Sequence, residues 1–200
     1  GGKPTLTQFL IEERRSYPDA TGDLNALITN VSLACKAISR RVACGSLTRA
    51  PEMPDGPVDA GAAPSAESSP LDASSNQMFL RANEWGGLVA GMVSPAFDKV
   101  YLLPAQHARG KYLMLFDALD GASNVDVNVT VGSIFSVLHA ITPEQDPLAQ
   151  DFLQAGTQQV CAGYAIYGPS TMLVLSFGRG THAFTLDPIL GEWILSHPHL

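Results

Sequence analysis

The chain has 200 residues, 46% of them hydrophobic, with a mean hydropathy of +0.10. That is enough to bury about 70% of its unfolded surface, which excludes disorder over the whole length. Nineteen acids against twelve bases give a net charge of −7, which repels nucleic-acid phosphates and anionic lipid and argues against a nucleic-acid partner. The richest apolar stretch, 164–177, is broken by Gly168, Pro169 and Ser170, so no membrane span is expected. The opening Gly1-Gly2-Lys3-Pro4 carries no apolar run of a secretory signal.

In chain order, a capping threonine at Thr5 and an early pair of acids predict a helix over 5–16, stopped by Pro18. A second helix is expected from Thr21, where Leu24, Leu27, Ile28, Val31, Cys35, Ile38 and Val42 recur at three- and four-residue steps. Gly45 closes it. Residues 46–75 then change character: from Ala50 to Ser75 there are five prolines, six alanines, five acids and no base. Such a stretch cannot bury enough apolar surface to order itself, and a disordered loop is expected there. A short helix follows from Asn76 through Met78, Phe79, Leu80 and Trp85, ended by Gly86-Gly87.

Beyond it the chain predicts strands over 99–103, 112–116, 133–141, 160–167, 171–177, 183–186 and 193–195. Gly168-Pro169-Ser170 and Gly178-Arg179-Gly180 read as hairpin connections. Helices first and a meander of strands afterwards define a layered α+β fold, with N-terminal helices packed on a mixed, largely antiparallel sheet.

Three cysteines, Cys35, Cys44 and Cys161, with no Cys-x-x-Cys pair, read as small apolar groups in a reducing, cytoplasmic compartment. The five histidines show no metal-binding spacing, and no Ser-His-Asp set or dinucleotide loop is present. Eleven of the twelve bases lie at or before Lys111; only Arg179 follows, beside eight acids.

One segment carries chemistry. The apolar run ending in Asp117-Ala118-Leu119-Asp120-Gly121-Ala122-Ser123-Asn124 delivers two carboxylates to a strand exit, where both can face a hard cation such as Mg²⁺. The Leu119 carbonyl lies between them as a third oxygen, and Gly121, Ala122 and Ser123 offer backbone N–H groups to a phosphate. The same run also suits an ordinary strand-end turn built from Asp and Gly.

That run resembles the Asp-Pro-Leu-Asp-Gly-Ser-Ser-Asn segment of class I fructose-1,6-bisphosphatases of the bacterial branch. The likeness continues through residues 125–137, 151–157 and 162–175 and through 5–39 and Asn83-Glu84-Trp85-Gly86-Gly87. It implies residues 1–200 are the N-terminal domain of a sugar-phosphatase fold, without the family's C-terminal domain. It also implies Mg²⁺-dependent hydrolysis of fructose 1,6-bisphosphate to fructose 6-phosphate and phosphate, a step of gluconeogenesis. By resemblance Asp117, Leu119 through its carbonyl and Asp120 are metal ligands. Gly121, Ala122, Ser123 and Asn124 lie at the substrate phosphate, and Asp72, in Pro70-Leu71-Asp72, helps activate water. An AMP site is implied at Thr21, Gly22, Asp23 and Leu24 with Lys111 and Tyr112.

The sequence also departs from that pattern. Where the family has Ser-Glu-Glu, whose glutamates complete the metal site, this chain has Ser94-Pro95-Ala96. Ala118 replaces a proline and Ala122 a serine, and His139 stands where many members carry an arginine. Arg179 alone does not supply the several bases a bisphosphate needs. Three expectations follow. One is a family enzyme with a sugar bisphosphate substrate and activity weak or lost. The second is a non-catalytic homologue serving as a structural subunit or scaffold in a larger assembly. The third is an incomplete or altered form of a longer active enzyme. In each case a homo-oligomer or a larger complex is expected.

Overall fold

A computed structural model describes residues 2–16, 21–45 and 69–200. Helix α1 (Leu6–Arg15) opens with a capping box: the Thr5 hydroxyl accepts from the Gln8 N–H at 3.2 Å, and the Gln8 side chain accepts from the Thr5 N–H at 3.0 Å. It buries Leu6, Phe9 and Leu10; the Pro18 stop lies outside the described residues. Helix α2 (Asp23–Cys44) buries Leu27, Ile28, Val31, Cys35 and Ile38, the face expected from their spacing, and ends at Gly45.

Helix α3 (Pro70–Glu84) begins six residues before the helix expected at Asn76. Composition obscured this start because prolines and serines elsewhere mark loops. Here Ser69 is the N-cap, its hydroxyl accepting from the Asp72 N–H at 3.1 Å, and Pro70 occupies the first turn, where it costs no hydrogen bond. The disordered loop expected over 46–75 therefore fails for 70–75; residues 46–68 lie outside the described residues.

Among the described residues eight strands form one sheet in the order β2-β1-β3-β4-β5-β6-β7-β8. They are β1 (Val89–Val93), β2 (Tyr101–Leu102), β3 (Tyr112–Asp120), β4 (Val131–His139), β5 (Cys161–Tyr167), β6 (Thr171–Ser176), β7 (Thr181–Asp187) and β8 (Glu192–His197). Every pairing is antiparallel except β1 with β3. Strand β1, Val-Ala-Gly-Met-Val, was not expected from sequence: it is buried almost throughout and lacks the alternation that marks a half-exposed strand. Both expected hairpins form, around residues 168–170 and 177–180.

The three helices cover one face of this sheet. Met114, Phe116 and Ala118 of β3, Phe135 and Val137 of β4, Leu173 and Leu175 of β6, and Phe184 and Trp193 join the helices in the main core. Phe79 of α3 stacks on Phe116, centroids 4.6 Å apart, which fixes α3 over β3. On the other face a smaller cluster, Ala90, Leu113, Leu138 and Phe152, covers one end. Farther along that face Ile134, Tyr164 and Ile166 are exposed. No described helix is long and apolar enough to cross a membrane.

Candidate functional site at the exits of β1 and β3

Because β1 and β3 are parallel neighbours, their C-terminal ends open on the same edge of the sheet. The end of β3 is anchored from within. The Ser133 hydroxyl donates to the Ala118 carbonyl at 2.6 Å and lies 2.6 Å from the Tyr167 hydroxyl, all of it buried. Pairing with β4 slips between Asp117 and Asp120, a bulge that turns the strand end. Asp117 is half-buried. Loss of water raises its carboxyl above the ordinary range, a hydrogen bond from the Leu119 N–H opposes that, and the charges of Asp120 and Asp72 add to the rise. Asp120 is exposed.

The chain then reverses at Gly121, φ 76°, a left-handed conformation that glycine adopts without strain. The Asn124 N–H closes this turn on the Gly121 carbonyl at 2.8 Å. Residues 122–127 form a 3-10 turn, with Ser123 exposed and Ala122 and Asn124 half-buried.

Asp72, in the first turn of α3, is brought into this neighbourhood, within electrostatic range of Asp117. Burial raises its carboxyl too. Its Oδ1 accepts from the Asn76 side-chain amide at 3.2 Å, and the same amide donates to the Asp72 carbonyl at 3.1 Å. The Asn76 Oδ1 in turn accepts from the Ser94 hydroxyl at 3.0 Å, and the Ser94 oxygen accepts from the Ala96 N–H at 3.3 Å. Asn76 and Ser94 were not singled out from sequence. The available signal was an asparagine one helical turn after Asp72, on the same helix face.

The β1 side of the edge is apolar. A cavity of about 330 Å³ opens between the β1 exit and the exposed sheet face, walled by Val93, Pro95, Leu115 and Ile134, with Asp117 at its margin. Among the described residues, no group of three or more His, Cys, Asp or Glu is placed to hold a metal ion. Asp98 is exposed, just beyond the turn in which the Phe97 N–H bonds to the Ser94 carbonyl.

The second set of expected residues also comes together. A cavity of about 370 Å³ between α1, α2 and β3 is lined by Thr21, Gly22, Leu24, Lys111 and Tyr112, together with Arg14 and His139. Asp23 reaches it through Lys111, whose ammonium donates to the Asp23 carboxylate and to the Thr21 hydroxyl, each at 2.8 Å. That contact lowers the Asp23 carboxyl and raises the Lys111 ammonium.

Helices on one face of a mixed sheet, with two carboxylates and a glycine turn at one strand exit, define the class. The fold matches the Leishmania major fructose-1,6-bisphosphatase in its T-state, TM-score 0.81 at 32% identity, over 100% of this chain and 58% of that one. It also matches the apo form of that enzyme, TM-score 0.79 at 33% identity, over 98% of this chain and 57% of that one. Residues 4–198 match the family described as fructose-1-6-bisphosphatase, N-terminal domain, and the chain belongs to that family. It is 66% identical over its full length to the fructose-1,6-bisphosphatase class 1 3 of Methylibium petroleiphilum, of which it covers 55%. Over 197 residues, 98% of this chain, it is 56% identical to the class 1 enzyme of Hydrogenophilus thermoluteolus, of which it covers 54%. The chain thus spans about half the length of the curated relatives it matches. Enzymes of the family are hydrolases that use divalent metal ions such as Mg²⁺.

Proposed function

We propose that this chain is the phosphate-handling part of a fructose-1,6-bisphosphatase-type hydrolase, with activity on fructose 1,6-bisphosphate weak or lost. The observation that carries the reading is the β3 exit, where Asp117 and Asp120 run into the Gly121 turn and Asp72, at the start of α3, lies within electrostatic range of Asp117. Gly121, Ala122, Ser123 and Asn124 take the substrate phosphate. Asp72 takes a proton from the attacking water while the oxygen of that water bonds to phosphorus; the bond from phosphorus to the sugar oxygen breaks, the sugar oxygen keeps the electron pair and takes up a proton from solvent, and Asp72 returns its own proton to water, so that phosphate and fructose 6-phosphate are released. Burial lifts the Asp72 carboxyl, which makes it a better proton acceptor than an exposed aspartate. A cytoplasmic, reducing setting belongs to the same reading, since Cys35, Cys44 and Cys161 are all unpaired thiols.

Phosphate release from fructose 1,6-bisphosphate with millimolar Mg²⁺ tests this. Turnover that disappears in Asp120→Asn supports it. Its absence both in the unaltered chain and in Pro95→Glu/Ala96→Glu leaves the structural-subunit reading. Light scattering separates that case further, because a structural subunit self-associates or requires a partner and a monodisperse monomer opposes it.

The cavity at Thr21, Gly22, Leu24, Lys111 and Tyr112 is proposed as the AMP site. Since Lys111 is already engaged by Asp23, the nucleotide phosphate has to compete with that carboxylate, and weak binding is the expected result. Calorimetric titration of AMP into Asp23→Asn should then show tighter binding than into the unaltered chain.

A further inference from the structure

The residues at the β1–β3 edge do not fit a resident metal ion, although enzymes of the family use one. A hard cation needs about six oxygen ligands, and protein carboxylates are the donors that hold it before any phosphate arrives. On the β3 side the Asp117 carboxylate already accepts from the Leu119 N–H, and Asp120 stands in solvent. On the β1 side Pro95 and Ala96 bring no side-chain oxygen, and Pro95 forms part of an apolar wall.

The polar groups between the two sides are hydrogen-bonded to one another. Asp72, Asn76, Ser94 and the Ala96 N–H form one hydrogen-bonded chain from α3 to the end of β1. A site built for a cation leaves buried oxygens waiting for it. Among the described residues the buried side-chain atoms without a partner are the Arg41 Nε and the Asn83 Oδ1, neither at this edge.

We infer that, without a phosphate ligand, the described residues of this edge hold no resident divalent cation, because its β1 side presents the hydrogen-bonded Asp72–Asn76–Ser94 chain and the apolar Pro95 and Ala96 where an ion would need side-chain oxygens. The inference rests on family membership and the donor set, and not on the hydrolysis reading. It makes Pro95 and Ala96 the residues that decide metal retention, and it predicts an edge that is stable when empty.

The test is the melting temperature of the 200-residue chain in EDTA and in MnCl₂, with no phosphate present. A site with a dissociation constant of about 0.1 mM would raise that temperature by roughly 5–10 °C at about 10 mM metal. The unaltered chain is expected to show no metal-dependent rise. Pro95→Glu/Ala96→Glu should melt lower than the unaltered chain in EDTA, because two more carboxylates crowd Asp72, Asp117 and Asp120, and should regain stability with Mn²⁺. A rise of several degrees in the unaltered chain that Asp117→Asn abolishes overturns the inference. If the double variant does not fold, Asp117→Asn decides alone: at a metal-free edge it leaves the melting temperature unchanged or raises it, equally with and without Mn²⁺. Phosphate release measured in parallel keeps the two readings apart. Turnover without a metal-dependent rise leaves the inference standing, since the ion then arrives with substrate, whereas a rise without turnover overturns the inference alone.

Discussion

The exits of β1 and β3 lie side by side on one sheet edge, yet they have been treated differently. The β3 exit keeps both acids, the bulge, the left-handed glycine and the 3-10 turn, and it is anchored by Ser133 and Tyr167. The β1 exit carries Pro95 and Ala96, with no side-chain oxygen, and it is nevertheless tied down, through Ser94 and Asn76, to α3. A strand end can thus keep its position while its chemistry changes, because position comes from buried hydrogen bonds and chemistry from the side chains they leave exposed.

The largest expected effect tests what the two exits share. Phe79→Ala removes the ring stacked on Phe116 and leaves a cavity between α3 and the sheet. It should cost about 3–5 kcal/mol and lower the melting temperature by roughly 10 °C or more in a thermal unfolding scan. Next come the two anchors. Ser94→Ala strands the Asn76 Oδ1, and Ser133→Ala strands the Ala118 carbonyl; each should cost about 1–3 kcal/mol by denaturant unfolding. Similar losses would show both exits held equally well. A negligible loss for Ser94→Ala alone would show that the β1 exit has become slack.

The smallest effect separates the exits by pH. Asp117 and Asp72 have carboxyls raised above the ordinary value, with no base set against them among the causes, so each binds its proton more tightly folded than unfolded. Stability from such a group is present in full below the unfolded carboxyl value and declines as pH rises through the raised folded one. Asp117→Asn should therefore stabilise the protein slightly at neutral pH, and the gain should vanish below about pH 4. Chemical denaturation at neutral and acidic pH measures the difference. A loss at neutral pH instead would mean that the Asp117 charge is being used.

Much of this was legible in the residues themselves. The α2 stripe from Leu27 to Ile38 shows its period directly, and the hairpins at Gly168 and Gly178 are marked by residues that do nothing else so well. The Asp117–Asn124 run stood out because acids and glycine follow an uninterrupted apolar strand. Two elements were not legible. Strand β1 has no polar alternation, since it is buried on both faces, and its one parallel neighbour lies about twenty residues away. The start of α3 was hidden because Ser69 and Pro70 serve a helix N-terminus with the same residues that populate loops. The Asn76–Ser94 link was invisible for another reason: eighteen residues separate its ends, and only the packing of α3 on the sheet brings them together.

The three thiols carry a consequence for chemical handling of the protein. Cys161 is buried in the sheet, and Cys35 is fully buried with its thiol pushed up to about 12, so neither offers a thiolate to a reagent. Cys44, in the last turn of α2, is partly open to solvent. A maleimide dye added to the folded protein should attach there first, giving a single optical handle at the end of α2, beside the 3-10 turn of the β3 exit, since Cys44 shares a cavity with Val125, Asp126 and Asn128.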